Sequence, residues 1–347
     1  MIQPVLSAYG FAESETAVEP FGKGLINHTW KITSSGNEYI LQRINDNVFK
    51  QPKHIAANIR LVKEHLALHH PSYLFVAPLP SKDGNEMVFV EGQGYFRLFP
   101  YVKGSHSKDV AETPAQAYEA AVQFGRFTRL LSGIDLDKFR ITIPDFHNLS
   151  LRYQQFNNAL KNGNKQRITR AKDIIDSLVR QADIARTYEK IKSDPGVHLR
   201  VIHHDTKISN ILFDENDKGL CVIDLDTVMP GYFTSDVGDM MRTYLSPANE
   251  EETDMNKIEV RDEFYKAIVR GYLDEMKDEL MPAEKKYFFY SGRLMIYMQA
   301  LRFLADYIND DVYYGASYPE HNLVRTQNQF TLLTRLQEKE PVLGNWD

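Results

Sequence analysis

The chain has 347 residues, a formal net charge of −6 and one cysteine, Cys221. With 43% hydrophobic and 25% charged residues it is not a disordered chain, a collagen-like repeat or a disulfide scaffold. Its mild acidity advertises no nucleic-acid footprint, and the one local basic segment, 161–172, reads as a solvated face. No stretch approaches the ~18 uninterrupted apolar residues of a membrane span, and the opening MIQPVLSAYGFAESE lacks a basic region followed by an apolar core. The expectation is a chain without a signal peptide, cytoplasmic, in no contact with membranes, acting on small molecules. Cys221 sits in an apolar run and reads as a buried structural thiol.

The first hundred residues read mostly as strand. His28–Thr33 alternates and is rich in β-formers, a Ser-Ser-Gly-Asn turn follows, and Glu38–Ile44 completes a hairpin. Ile55, Ile59, Val62 and Leu66 recur at helical spacing and predict a helix over 53–69. Two more strand runs, Met87–Val90 and Gly94–Pro100, are joined by a short turn. From about residue 104 the texture turns helical. Thr113-Pro114 opens a helix over 113–132, 147–192 is a polar, helix-favouring insertion, and short strands at 199–203 and 220–225 bracket a loop. From 235 onward the chain is nearly all helix. The expected fold class is α+β, with a small β-rich N-terminal lobe (1–102) and a large, mostly helical C-terminal lobe (103–347).

The most informative segment is 201–227, VIHHDTKISNILFDENDKGLCVIDLDT. It holds His203-x-Asp205, then Asn210, then Asp224 at the end of an apolar strand. An Asp on a tight loop accepts a proton from, or orients, a hydroxyl nucleophile. An Asn oxygen and a second carboxylate are hard ligands suited to Mg²⁺. Phosphoryl transfer needs this set, because positioning and charge neutralisation serve its loose transition state. A turn at Asp214–Gly219 brings Asn210 and Asp224 together.

This segment resembles the H-x-D-x-x-x-x-N and I-D loops of the aminoglycoside phosphotransferase / choline kinase-like family, relatives of protein kinases. The resemblance spans essentially the whole chain and is most similar to N-acetylhexosamine 1-kinases in YILQRIN (39–45), HHDTKISNIL (203–212), IDLDTVMPG (223–231), RFLADYINDDVYY (302–314) and YPEHNLVR (318–325). It implies a bilobal protein-kinase-like fold, ATP and Mg²⁺ as cofactors, and phosphorylation of the anomeric hydroxyl of a small-molecule sugar by a monomer or weak dimer. It matches Asp205 to the catalytic base, Asn210 and Asp224 to metal ligands, and His203 to a structural brace. His204 departs from the small residue, often Gly, of the family. Asp226 reads either as a further carboxylate of the metal site or as a turn cap. Asp236 reads as a helix N-cap, and by resemblance also as a support of the catalytic loop.

Upstream, Gly22 and Gly24 allow close backbone approach to phosphates. A phosphate-holding cation is expected on the next strand, where alternation admits only one of Gln42 and Arg43 to the cleft; Arg43 is the favoured residue. Glu64 is the default acidic partner on the following helix. Pro100, Tyr101 and Val102 fall at the hinge expected to read adenine, with the donor from Tyr101, Val102 or Lys103 because proline has no N–H. Near the C-terminus, Arg302 and Asp306 lie four apart on a helix and face each other. The resemblance assigns Arg302 and Tyr313 to the sugar, with Asp306 beside them.

Overall fold

The computed structural model describes residues 2–22 and 26–344. A short helix, α1 (Gln3–Tyr9), leads into five antiparallel strands: β1 (Thr16–Pro20), β2 (His28–Ser34), β3 (Asn37–Arg43), β4 (Val88–Val90) and β5 (Gly94–Pro100), ordered β1-β2-β3-β5-β4. Helix α2 (Pro52–His69) connects β3 to β4. The β2–β3 hairpin closes at Ser35 and Gly36, both at positive φ (49° and 76°), as the twist of a two-residue turn demands.

Helices α3 (Pro114–Leu130), α4 (Leu149–Asn162), α5 (Lys165–Arg170), α6 (Lys172–Arg180) and α7 (Asp183–Ser193) follow. Thr113 and Gln116 form the capping box of α3. Four three- or four-residue strands then frame the chemistry: β6 (Arg200–Ile202), β7 (Ile211–Phe213), β8 (Gly219–Val222) and β9 (Met229–Gly231). Helices α8 (Phe233–Tyr244), α9 (Asp262–Met276), α10 (Pro282–Lys285), α11 (Phe288–Ile308) and α12 (His321–Glu338) complete the helical lobe. Helices α3 and α9 cross closely at Gly271, where a Cβ would lie 2.5 Å from the Tyr118 carbonyl oxygen.

The predicted strands at 199–203 and 220–225 exist but do not pair with each other. β6 pairs with β9 and β7 with β8, in two separate ribbons. β7 and β9 are too short for a legible alternation. The ribbon β8 also ends at Val222, before the two aspartates.

Two apolar cores divide the sheet. One face, with Ile32, Leu41, Phe96 and Leu98, packs on Val5 and Leu6 of α1. The inner face of α2 (Ile55, Ile59, Val62, Leu66) joins the large core of the helical lobe instead. Cys221 is buried without exposure, and burial pushes its thiol up to about 12. Among the described residues no helix is long and apolar enough to cross a membrane.

Candidate active site

The loop between β6 and β7 carries His203, Asp205, Lys207 and Asn210, and its backbone is fixed from below by α8. Asp236 accepts from the backbone N–H groups of His203 (3.0 Å) and His204 (2.7 Å), and Asp239 accepts from that of Thr206 (2.9 Å). Thr206 Oγ1 donates to the Asp236 carbonyl, and Thr227 Oγ1 donates to that of His203 (2.6 Å). Asp236 is fully buried inside α8, four residues past its N-cap Tyr232. It therefore does not cap its own helix, and its role is to hold the loop. Burial pushes Asp236 up to about 7, against the pull of its two N–H donors.

His203 lies in the core, its Nε2 2.9 Å from the Ile223 carbonyl oxygen, with Phe124 edge-on to its ring. His204 holds a left-handed backbone (φ 67°), the conformation that a glycine at that place adopts without cost. Its imidazole is buried, with Nδ1 3.1 Å from Ser235 Oγ. Burial lowers it to about 4, so it stays neutral near pH 7.

Asp205 is partly exposed and pairs with Lys207 at 3.2 Å. Sequence reasoning passed over Lys207, although its spacing two residues past Asp205 was visible. Burial opposes its charge, but Asp205 and Asp224 outweigh this and raise its pKa. Asn210 donates Nδ2 to the Asp205 carbonyl oxygen at 2.8 Å, which leaves Oδ1 for another partner. The Ile223 N–H donates to the Asn210 carbonyl oxygen at 2.8 Å, and this bond brings Asp224 beside Asn210.

Asp224 stands outside the strand at φ 59°, turning the chain into a 3₁₀ turn, Leu225–Thr227. Asp224 is exposed to solvent on the cleft side of the loop, not packed in the core. Withdrawal from bulk water, then the charges of Asp226 and Asp205, push it above the usual carboxylate range. A divalent cation relieves that crowding and fits the donor set of Asp224 and Asn210 Oδ1. Among the described residues no three His, Cys, Asp or Glu side chains converge as a metal cage. A cation held chiefly by nucleotide phosphates and water needs none.

Asp226 does not share the cleft with Asp224, because the strand ends first. It is 2% exposed and pairs with the equally buried Arg97 of β5. Its other oxygen accepts from Asn27 Nδ2 at 2.8 Å, and Asn27 Oδ1 accepts from the Asn45 N–H. Arg97 also donates to Gln42 Oε1 at 2.8 and 3.1 Å. One buried cluster thus joins the two lobes beside the metal-type residues.

That cluster corrects the expected cation. In the β3–β5 register Gln42 faces Arg97, while Arg43 shares the face of Leu41 and Phe96, which packs toward α1. Gln42, not Arg43, looks toward the aspartates, and the guanidinium there comes from β5. Glu64 is exposed on α2. Asn58 is the buried polar residue of that helix, and its Nδ2 donates to the Val228 carbonyl oxygen at 2.9 Å. Gly22 turns at φ 76° with open space around it, and Gly24 lies outside the described residues.

At the hinge, Pro100 ends β5 and the Tyr101 N–H is spent on the Glu38 carbonyl oxygen. The Val102 carbonyl accepts from Ser105, and the N–H groups of Val102 and Lys103 have no partner among the described residues. Tyr101 is therefore not the adenine-reading donor. Its ring packs edge-on with Phe21 and lies 4.7 Å from Lys31 Nζ.

Beyond the loop, α4, α11 and the turn after α11 enclose a cavity of about 480 Å³ lined by Arg152, Asn158, Arg302, Asp306, Tyr313 and Tyr314, among others. The three residues expected at the acceptor do gather here. Arg302 lies 5.8 Å from the Tyr313 ring and 5.3 Å from that of Tyr314. Asp306 does not pair with Arg302. Its oxygens accept from the N–H groups of Tyr313 (2.7 Å) and Tyr314 (2.9 Å) and from Asn322. It is a clamp that shapes the turn. His147 lies beside the loop: it bonds Ser235 Oγ, stacks on Phe146 and sits 5.5 Å from His204. Burial first, then His204, Arg302, Arg242 and Arg152, keep it well below its usual pKa.

A partly exposed loop Asp with a lysine beside it, an Asn–Asp pair suited to a cation and a polar cavity are the equipment that phosphoryl transfer uses. The model of the APH phosphotransferase enzyme family matches residues 17–283. The chain belongs to this family. It is a phosphotransferase of that family. Its kinase-like fold matches a microcompartment-associated aminopropanol kinase (18% identity, TM-score 0.64, covering 99% of this chain and 97% of that one). It also matches choline kinase from Cryptosporidium parvum Iowa II (13% identity, TM-score 0.59, covering 99% and 98%). A third match is an amicoumacin kinase in complex with AMP-PNP, Ca²⁺ and its ligand (13% identity, TM-score 0.63, covering 96% and 92%).

Proposed function

We propose that this phosphotransferase is an ATP- and Mg²⁺-dependent kinase that phosphorylates the anomeric hydroxyl of an N-acetylhexosamine, N-acetylglucosamine or N-acetylgalactosamine, to give the sugar 1-phosphate. The observation that carries the reading is the convergence of Asp205, Asn210 and Asp224, together with a cavity walled by Arg302 and Tyr313. Asp205 orients the hydroxyl and takes its proton as the oxygen bonds to the γ-phosphorus and the bond to the β-phosphate oxygen breaks. Lys207 balances charge beside it. Asn210 and Asp224 would hold the Mg²⁺, which neutralises phosphate charge when bound. Residues 1–102 would serve the nucleotide, with Gly22, Gly24, Val102 and Lys103 around it, and 103–347 the acceptor. The AMP-PNP and Ca²⁺ in the amicoumacin kinase complex favour a nucleotide and a divalent cation here.

Kinases of this fold acting on choline, amino alcohols or aminoglycosides define the second reading. Tyr313 and Tyr314 offer part of an aromatic cage for an ammonium, but Arg302 already stands over both rings. ADP release with ATP and Mg²⁺ over N-acetylglucosamine, N-acetylgalactosamine, glucose, galactose, choline, homoserine and kanamycin tests the reading. Turnover of the N-acetyl sugars, with phosphate on the anomeric carbon, is the expected result. Turnover of choline, homoserine or kanamycin alone discards the sugar and keeps the chemistry.

A further inference from the structure

The acceptor cavity holds more positive charge than its own walls neutralise. Arg152 enters it from α4 and Arg302 from α11. Arg152 donates to the carbonyl oxygens of Asp145 and Phe146 and to Gln155 Oε1, and its buried Nε has no partner. Arg302 donates, among the described residues, only to Gln299 Oε1, at 3.2 Å. Among the described residues neither guanidinium meets a carboxylate. The one carboxylate lining the cavity, Asp306, is spent on the Tyr313–Tyr314 turn and Asn322. The remaining polar lining is neutral, the amides of Gln155, Asn158, Asn162 and Asn309 and the hydroxyls of Tyr313 and Tyr314.

Guanidinium groups only donate, in a planar fork. A cavity with two of them and no free carboxylate repels an ammonium and presents surplus donors to a ligand oxygen. We infer that Arg152 and Arg302 together read a planar acyl oxygen, amide carbonyl or carboxylate, on the acceptor, and that Arg152 is the specificity-determining residue separating acylated acceptors from those with a free amine. The inference rests on the reading of this cavity as the acceptor site. In an N-acetylhexosamine the oxygen belongs to the acetamido group, and in a uronate to the carboxylate. It also gives the insertion 147–192 a task, since α4 supplies the reader.

The test measures kcat/KM of the full chain, with ATP and Mg²⁺, for N-acetylglucosamine, glucosamine and glucuronate in wild type, Arg152→Gln and Arg152→Lys. Wild type favours an acyl-bearing acceptor over glucosamine, and the better of the other two tells amide from carboxylate. Arg152→Gln lowers that preference about ten- to hundredfold, the worth of one or two charge-assisted hydrogen bonds, and Arg152→Lys falls between. Because Arg152 also braces residues 145–146, a purely structural role lowers all acceptors in proportion. An unchanged ratio therefore overturns the inference. Should melting show that Arg152→Gln does not fold, an unchanged ratio in Arg152→Lys overturns it equally. If wild type ignores all three hexoses but phosphorylates choline, aminopropanol or kanamycin, both the sugar and the acyl reader fall. If it phosphorylates another neutral or anionic alcohol, only the sugar falls, and that alcohol and its amine analogue take over the ratio.

Discussion

The loop 203–210 and the cavity lined by Arg152 and Arg302 hold their polar groups in opposite states. Around the loop, two buried carboxylates, two threonine hydroxyls and the Asn210 amide are committed to particular backbone atoms. In the cavity two guanidiniums lack counterions, and the Tyr313 side chain is 74% exposed. The loop keeps one geometry whatever is bound, as a positioned base requires. The cavity leaves its two guanidiniums without a counterion, at a cost in folding stability that a ligand offsets. Chemistry and selectivity should therefore respond to different mutations, and three experiments probe that separation.

The largest effect belongs to Asp205→Asn. It removes the proton acceptor and keeps the shape, so kcat falls by about a thousandfold or more, while nucleotide affinity, measured by calorimetry, stays within a few-fold. Near-normal turnover would detach the loop from the chemistry. Next comes Arg97→Met, which leaves Asp226 buried beside Asn27 alone. The expected loss is about 3 kcal/mol of stability, read by denaturant melts, together with a higher KM for ATP. A variant as stable as wild type would mean that the buried cluster does not join the lobes in solution.

The smallest effect is a change in pH dependence. The unfolded His204 binds a proton near pH 6.5, whereas burial delays this to about 4 in the fold. The unfolded state thus takes up more protons between those values, so stability is lost as pH falls from about 6.5 toward 4. His204→Gly suits the left-handed backbone and removes that proton uptake. Its stability, relative to wild type, should improve by on the order of 2 kcal/mol between pH 7.5 and 4.5. Parallel melting curves at the two pH values would contradict this.

What the sequence revealed followed the range of the interaction. Asp205, Asn210 and Asp224 are legible because a single loop and ribbon carry them, and their spacing is their geometry. The order of a strand-rich part and a helical part is legible from alternation and helix caps. The lobe-joining pair was not, because Arg97 and Asp226 lie on different lobes and no local pattern links them. Arg43 was preferred over Gln42 for its charge, and only the register of β3 against β5 fixes which of them faces the aspartates. Helical spacing pairs Asp306 with Arg302, and the polar and aromatic run 302–318 points it to the acceptor, while its partners are backbone groups of the following turn and Asn322. Arg152 carried no signal at all, being one polar residue in a polar insertion.

The close approach of β9 to the loop has a historical consequence. A Cβ on Gly231 would lie 2.5 Å from His204 Cε1 and 2.7 Å from Ile202 Cδ1. The imidazole thus fills the room that a side chain at 231 would need. In a lineage of such enzymes the two positions cannot drift independently. With histidine at 204, position 231 is closed to every residue but glycine unless the strand shifts, and a side chain becomes admissible there only after 204 has shrunk and Ile202 has given way. The order of the two replacements matters, since one route passes through a clash and the other through a cavity.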